Sequence, residues 1–522
     1  MRHLASAQVA LPLAALIALG SAARVARAEE PRKVTEPSVL RESAEVTSVV
    51  DAFDDDDPFD LHLSLGFEQT WKSGKVLRET TSNLPQYSSG GFTASNMSVA
   101  SYSQSISRLN TRADIGIYKD IALVLRMPVI LSNDQKLGDL DGSVAHQSLV
   151  TQGAPGEQLF RLPFKSPTRS GIEYFAVGVD VSPMNQTRDR TKPTWTLGVE
   201  GRFSVSEPMH PCGSATGLNG SNAQISCANT SDINRGGKPS QVPDPSNPGS
   251  FLDGTTFNGG NKAGVSRGTT GLEAHTFISK RVKYIEPYTG FIALFEFQNA
   301  NSEYGATDLQ GSLVNHPPFQ GTLIGGLSVF PWEVRDQFQR IEIDFRASGT
   351  YRSEGRDYSP LFDALGSSDA PSLRRPNFAG FKQNPATVGS TDPLAIHSVV
   401  DPASQKVYTT GITDVQQHGI YTFSTQFTFQ AGEYVKFNLG GAFTAEQGHI
   451  ITLDQPCNPD FNHDVGASGP CHTQAAGAST STLSATGIPN PNYRAVIDAP
   501  GRRFLVSGVT TWDAWVNATV MF

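Results

Sequence analysis

Alternation of apolar and polar residues constrains this chain more than any other feature. Phe59, Leu61, Leu63, Leu65 and Phe67 make one series, and Asp60, His62, Ser64, Gly66 and Glu68 make the other. A β-strand sends successive side chains to opposite faces, so the two series become two sides of one sheet. Helical periodicity would scatter the same charges around a whole cylinder. The pattern recurs down the chain. Leu109 to Ile117 opposes Asn110, Arg112 and Asp114; Trp195 to Val205 opposes Thr196, Glu200, Arg202 and Ser204. Ile341, Ile343 and Phe345 oppose Glu342, Asp344 and Arg346. Tyr421 to Phe429 opposes Thr422, Ser424, Gln426 and Thr428, and Val435, Phe437 and Leu439 oppose Lys436 and Asn438. Segments 121–131, 175–181 and 323–329 are apolar on both faces in places and read as strands because they complete hairpins.

The connections sort into two kinds. Tyr118-Lys119-Asp120, 183–193, 279–283, 331–337 and 430–433 are short. Between them lie long polar stretches at 72–96, 133–169, 207–264, 299–318, 354–405 and 454–500. Strict alternation of short and long connections predicts an all-β fold: a transmembrane antiparallel up-and-down β-barrel of about 12 strands, with short periplasmic turns and long extracellular loops. Tyr118, Trp195, Tyr284, Trp332 and Tyr434 stand at or beside the short turns and read as an interfacial girdle. A soluble β-sandwich would share the alternation but not the ordering of the loops.

The first residues fit export. Arg2 and His3 precede an apolar run from Val9 to Leu19, too short for a spanning helix, and Ala26-Arg27-Ala28 suits signal cleavage. The expected organisation is a signal peptide at 1–28, a periplasmic N-terminal segment at 29–58 and the barrel at 59–522. Within the second, 38–53 has the spacing of a short amphipathic helix, either a tail or a plug. The acidic run Asp54 to Asp57 reads as a solvated segment. With 49 glycines and 33 prolines the chain is rich in turns, and a net charge of −9 argues against nucleic acid as a partner. Four cysteines fall in two sequence-local pairs, Cys212 with Cys227 and Cys457 with Cys471; two loop disulfides are the simplest connectivity for an exported protein, and the crossed pairings stay open.

The chain closes on Trp512 to Phe522, with Val516, Ala518 and Val520 at every second position before the terminal Phe522. This resembles the C-terminal signature of bacterial outer-membrane β-barrel proteins as a general class. The resemblance implies a closed barrel in the outer membrane, contact with its lipid, and Phe522 as part of the signal read by the barrel-assembly machinery. It implies no solute.

Candidate lumen-lining residues are His62, Glu68, Arg112, Asp114, Arg126, Glu200, Arg202, Glu286, Glu342, Asp344, Arg346 and Lys436. Their mixed signs suggest an internal salt-bridge network, because a buried charge needs a partner. No catalytic residue, cofactor or metal site is expected. His62-Leu63-Ser64 matches the His-x-Ser of outer-membrane phospholipases, but faces the lumen and lacks an Asn partner. Asp460, Asn462 and Asp464 have calcium-loop spacing, but Val465 and Cys471 stand where Gly and Glu belong. The expected function is a passive porin-like channel for small polar solutes. The alternative is a structural or surface-interaction (adhesin- or receptor-like) barrel with a closed lumen, with an outer-membrane hydrolase ranked behind it.

Overall fold

In the computed structural model, twelve long antiparallel strands close into one barrel. The structure describes residues 44–50, 52, 60–83, 92–140, 159–160, 162–215, 224–227, 242–243, 251–252, 262–300, 302–305, 316–334, 337–368, 374–376, 406–453 and 503–522. The strands are β1 (Leu61–Asn83), β2 (Phe92–Tyr118), β3 (Ile121–Asp139), β4 (Phe175–Met184), β5 (Thr194–Phe203) and β6 (Thr269–Ser279), followed by β7 (Ile285–Gln298), β8 (Gln320–Val334), β9 (Gln339–Arg352), β10 (His418–Gln430), β11 (Val435–Glu446) and β12 (Arg503–Met521). Each pairs with its sequence neighbour, and β12 returns to β1. The seam is completed by Leu61 and Phe522, whose backbones exchange hydrogen bonds at 2.9 and 3.2 Å. Closure leaves no sheet edge to satisfy in hydrocarbon.

The alternation read from sequence is the alternation of faces. Phe67, Leu197, Val199, Phe345, Phe427, Leu439 and Val516 point outward and are exposed, while Glu200, Glu342 and Asp344 point inward and are buried. Tyr118, Tyr284, Trp332 and Tyr434 are exposed beside the short turns; Trp195 is half-buried and donates its indole N–H to Thr276 at 2.9 Å. A second aromatic ring stands at the other end: Trp71, Trp512, Tyr351 and Tyr421 are each at least half exposed, with Trp71 directly opposite Trp512. Ten residues separate Leu61 from Trp71, which at the usual rise and tilt is roughly 25 Å of height, matching the apolar band of an outer-membrane barrel. This belt between two girdles places the protein in the bacterial outer membrane.

Two sequence expectations change. The stretches 72–96 and 133–139 are not loop throughout: β1 continues to Asn83, β2 starts at Phe92 and β3 runs to Asp139. Beyond the girdle no face meets lipid, so the alternation that marks a spanning strand is no longer required. Strand β2, with 27 residues, is roughly 90 Å long. The turn placed at 331–337 is shorter, because β8 resumes pairing at Trp332 after an irregularity following Val329.

Inside these extensions the barrel mouth is filled. Val76, Val99, Tyr102, Leu137, Phe504 and Val506 from the walls pack against Leu159, Phe160, Leu361 and Leu365 from the connecting segments. A short helix, Phe362–Gly366, is buried at every residue. The stretch 354–405 reads as polar loop in sequence, yet it supplies part of this core because a few apolar residues suffice once walls surround them. Gly411 makes the close approach possible: at φ +85° its Cβ position would lie 2.3 Å from the Phe362 carbonyl oxygen. The Cys212–Cys227 disulfide is formed across a hairpin beside this helix, where the Cys212 N–H donates to Asp363 at 2.9 Å. Cys457, Cys471, the aspartates at 54–57 and the Asp460–Asp464 motif lie outside the described residues, as does the signal segment.

Candidate functional site

At membrane level the inner wall is built from the polar alternates of the strands. On β3, β5 and β6, Arg126, Glu200, Arg202 and Glu273 meet across neighbouring strands. Arg126 lies 2.5 Å from Glu200 and 3.3 Å from Glu273; Arg202 lies 3.1 Å from Glu200 and also pairs with Glu273. Two guanidinium groups and two carboxylates thus alternate in one closed, neutral arrangement. Such pairing is what lets charge persist inside a low-dielectric wall. On the adjoining wall, Arg108 bridges Glu68 and Glu173 at 3.1 Å each, and Arg112 holds Asp114 at 2.8 Å. On the facing wall, Asp344 accepts from Tyr288 at 2.8 Å and Ser328 at 2.9 Å, and Arg346 lies 3.4 Å away.

These side chains border two chambers. One, of about 630 Å³, is lined by His62, Glu68, Arg112, Asp114, Arg126, Arg202 and Lys436 among others. The second, of about 360 Å³, is lined by Glu200, Glu342, Asp344 and Arg346, and shares Arg112 and Arg126 with the first. Eleven of the twelve sequence candidates therefore border these chambers. Glu286 stands apart and is fully buried. It accepts hydrogen bonds from the Ala44 N–H at 2.8 Å and from Ser279 at 2.6 Å.

That contact belongs to the N-terminal segment. Ala44, Thr47, Val50 and Ala52 are buried, Thr47 shares its hydroxyl with Ser279 at 2.9 Å, and Val46, Ser48 and Val49 line the chambers. The described part of the segment thus lies inside the barrel, at the end of the short turns. Among the described residues it has one short 3-10 turn, Glu45–Thr47, ending on an extended Ser48, and no α-helix of the kind expected from spacing; 38–43, 51 and 53 lie outside the described residues. Hydrogen bonds to the wall replace those of a helix.

Several lumen residues escaped the sequence reading. Arg108 continues the inward phase of Asn110 and Arg112; Asp180 sits on β4, apolar on both faces in places, and Glu273 and His275 sit on β6, a strand the alternation did not mark. His275 lies 3.2 Å from Asp180. Trp515 also faces inward, donating to Gln426 at 3.0 Å and leaning over Gly440, where any Cβ would meet its ring at 2.4 Å. Counting back by twos from Met521 would have found it. Ser64 is hydrogen-bonded to Thr519 at 2.8 Å, and it lines the larger chamber with His62.

No protein-family model matches the chain, and no curated protein does. Among solved structures, an outer membrane channel from Pseudomonas putida F1 aligns over 91% of this chain and 100% of its own, at 6% identity and a TM-score of 0.33. A Pseudomonas aeruginosa FadL homologue aligns over 88% of this chain and 90% of its own, at 8% identity and a TM-score of 0.27. The outer membrane protease OmpT from Escherichia coli aligns over 91% and 100%, at 8% identity and a TM-score of 0.24. Likenesses this weak decide neither solute nor catalysis.

Proposed function

We propose that this barrel is a passive channel for small polar solutes, with the charged chambers as its selective region. The observation that carries the reading is the about 630 Å³ chamber at membrane level, lined by both signs of charge. Paired charges keep the wall neutral on average and still offer donors and acceptors to a solute shedding its water. In this reading segment 44–52 is a constriction at the periplasmic end, and Phe522, at the seam with Leu61, is part of the signal read by the assembly machinery.

A second reading is supported by the apolar packing of the mouth: a closed-lumen barrel that serves a structural or surface-interaction role. Planar-bilayer conductance separates the two. The channel reading expects current from the mature chain and a larger current when 44–52 is deleted. Absence of current from both, at every voltage and with folded barrels, would leave the closed-lumen reading standing.

A further inference from the structure

A second group of chemistry-bearing side chains stands beyond the outer girdle, and the channel reading makes no use of it. His418 opens β10, Glu446 ends β11, and His449 opens the short strand His449–Thr452. Ligand atoms of the three lie within 4.8 Å of one another. The two imidazoles stack with centroids 3.9 Å apart and 12° between planes. Their backbones are fixed to each other: the Gln416 N–H donates to the Ile450 carbonyl at 2.9 Å, and the Ile450 N–H to the Gln416 side chain at 3.0 Å.

The hydrogen bonds set the tautomers. His418 Nδ1 lies 2.8 Å from the Gln416 carbonyl oxygen, and His449 Nδ1 lies 3.0 Å from that of Gln447. A carbonyl oxygen only accepts, so each Nδ1 carries the proton and each neutral ring keeps its lone pair on Nε2. Burial lowers the basicity of both rings, and His418 lowers that of His449 further. His418 is only 4% exposed, and among the described residues its Nε2 has no hydrogen-bond partner. A buried acceptor left without a partner is costly, and it calls for an explanation. Burial would raise Glu446, but Lys72, 2.5 Å from Oε1, holds it below its ordinary value, as a carboxylate.

We propose that His418, Glu446 and His449 form a binding site for a divalent metal ion of the zinc and copper class. Two imidazole nitrogens and one carboxylate oxygen suit a borderline cation, whereas calcium and magnesium prefer all-oxygen sets. Nδ1–H donated to a backbone carbonyl is the outer-shell contact that orients ligating histidines. Glu446 Oε2 supplies the third ligand while Oε1 stays with Lys72, and a fourth position is left for water. Lys72 and Arg352 face the group and oppose a cation, so the site is weaker than an enclosed structural zinc site. His418 pairs in register with Arg352 of β9, and His449 with Val506 of β12. A bound ion therefore ties together the outer ends of β9 to β12. Sequence reading expected no metal, because 28 positions separate Glu446 from His418 and only the closed sheet brings them together.

The test uses the full mature barrel in detergent, without a polyhistidine tag and stripped with EDTA. Titration with Zn2+ should give one ion per chain, and His418→Asn with His449→Asn should weaken binding at least about tenfold. His316→Asn should leave it unchanged. Wild-type protein loaded with Cu2+ should show hyperfine coupling to two imidazole nitrogens, a readout that needs no variant to fold. Failure of Zn2+ to bind, affinity unchanged in the double variant, or a Cu2+ spectrum without nitrogen coupling would each overturn the site.

Discussion

At membrane level the interior of the barrel is held together by Arg126, Glu200, Arg202 and Glu273, whereas beyond the outer girdle it is held by Val76, Leu137, Leu365 and Phe504. The same strands build both levels. On β1 the inward residues change from His62, Ser64 and Glu68 to Val76, and on β12 from Asn517, Trp515 and Asp513 to Val506 and Phe504. The difference follows from what lies outside the wall. Within the bilayer the apolar alternates must face lipid, which leaves the polar ones to the lumen. Above it the outer surface meets water, so apolar residues can turn inward and form an ordinary core. On β12 the change of phase is made at one place: Gly508, at φ +59°, sits in the irregularity between Ser73 and Lys75 of the partner strand and shifts the inward series from odd to even numbers.

If the two levels are separate cores, injuring one should spare the other. Leu365→Ala should remove about 2–5 kcal/mol from the outer core. Hydrogen exchange should then quicken in 361–366 and 412–415 while the membrane-level strands keep their protection. Equal loss in both would show a single cooperative interior. Glu273→Gln has a smaller expected cost, about 1–3 kcal/mol, because the guanidinium groups of Arg126 and Arg202 are partly wet and lose only part of their pairing. Thermal unfolding of the barrel should register it, and any current should shift towards anions; an unchanged melting temperature would remove the network from the account of stability. The smallest effect is expected from Gly508→Ala, about 1–2 kcal/mol, since a Cβ there meets no neighbour but must adopt a left-handed backbone. If the variant melts like the wild type, the strand has another way to change phase.

The membrane level was legible in sequence because a strand between lipid and a wet lumen has no freedom in its pattern. Leu61 to Glu68 and Ile341 to Arg346 declare both faces outright. Neither the extensions of β1 to β3 nor the core residues Leu361 and Leu365 could be read the same way. Their burial depends on walls contributed by strands far away in the chain, and the glycine at 508 that reverses the faces looks like any other in a chain with 49. Candidate lumen charges were mostly readable where alternation was clean, Arg108 excepted; Asp180 was missed on β4, which is apolar on both faces in places, and Glu273 and His275 on β6, which was not among the strands the alternation marked.

The seam between Leu61 and Phe522 carries an implication for biogenesis. Because the first strand to be exported can find its permanent neighbour only in the last, every intermediate carries two raw flanks of unpaired backbone for the whole period of threading. A chain cut short in its final strand would keep those flanks for good, offering them to other polypeptides instead of sealing itself.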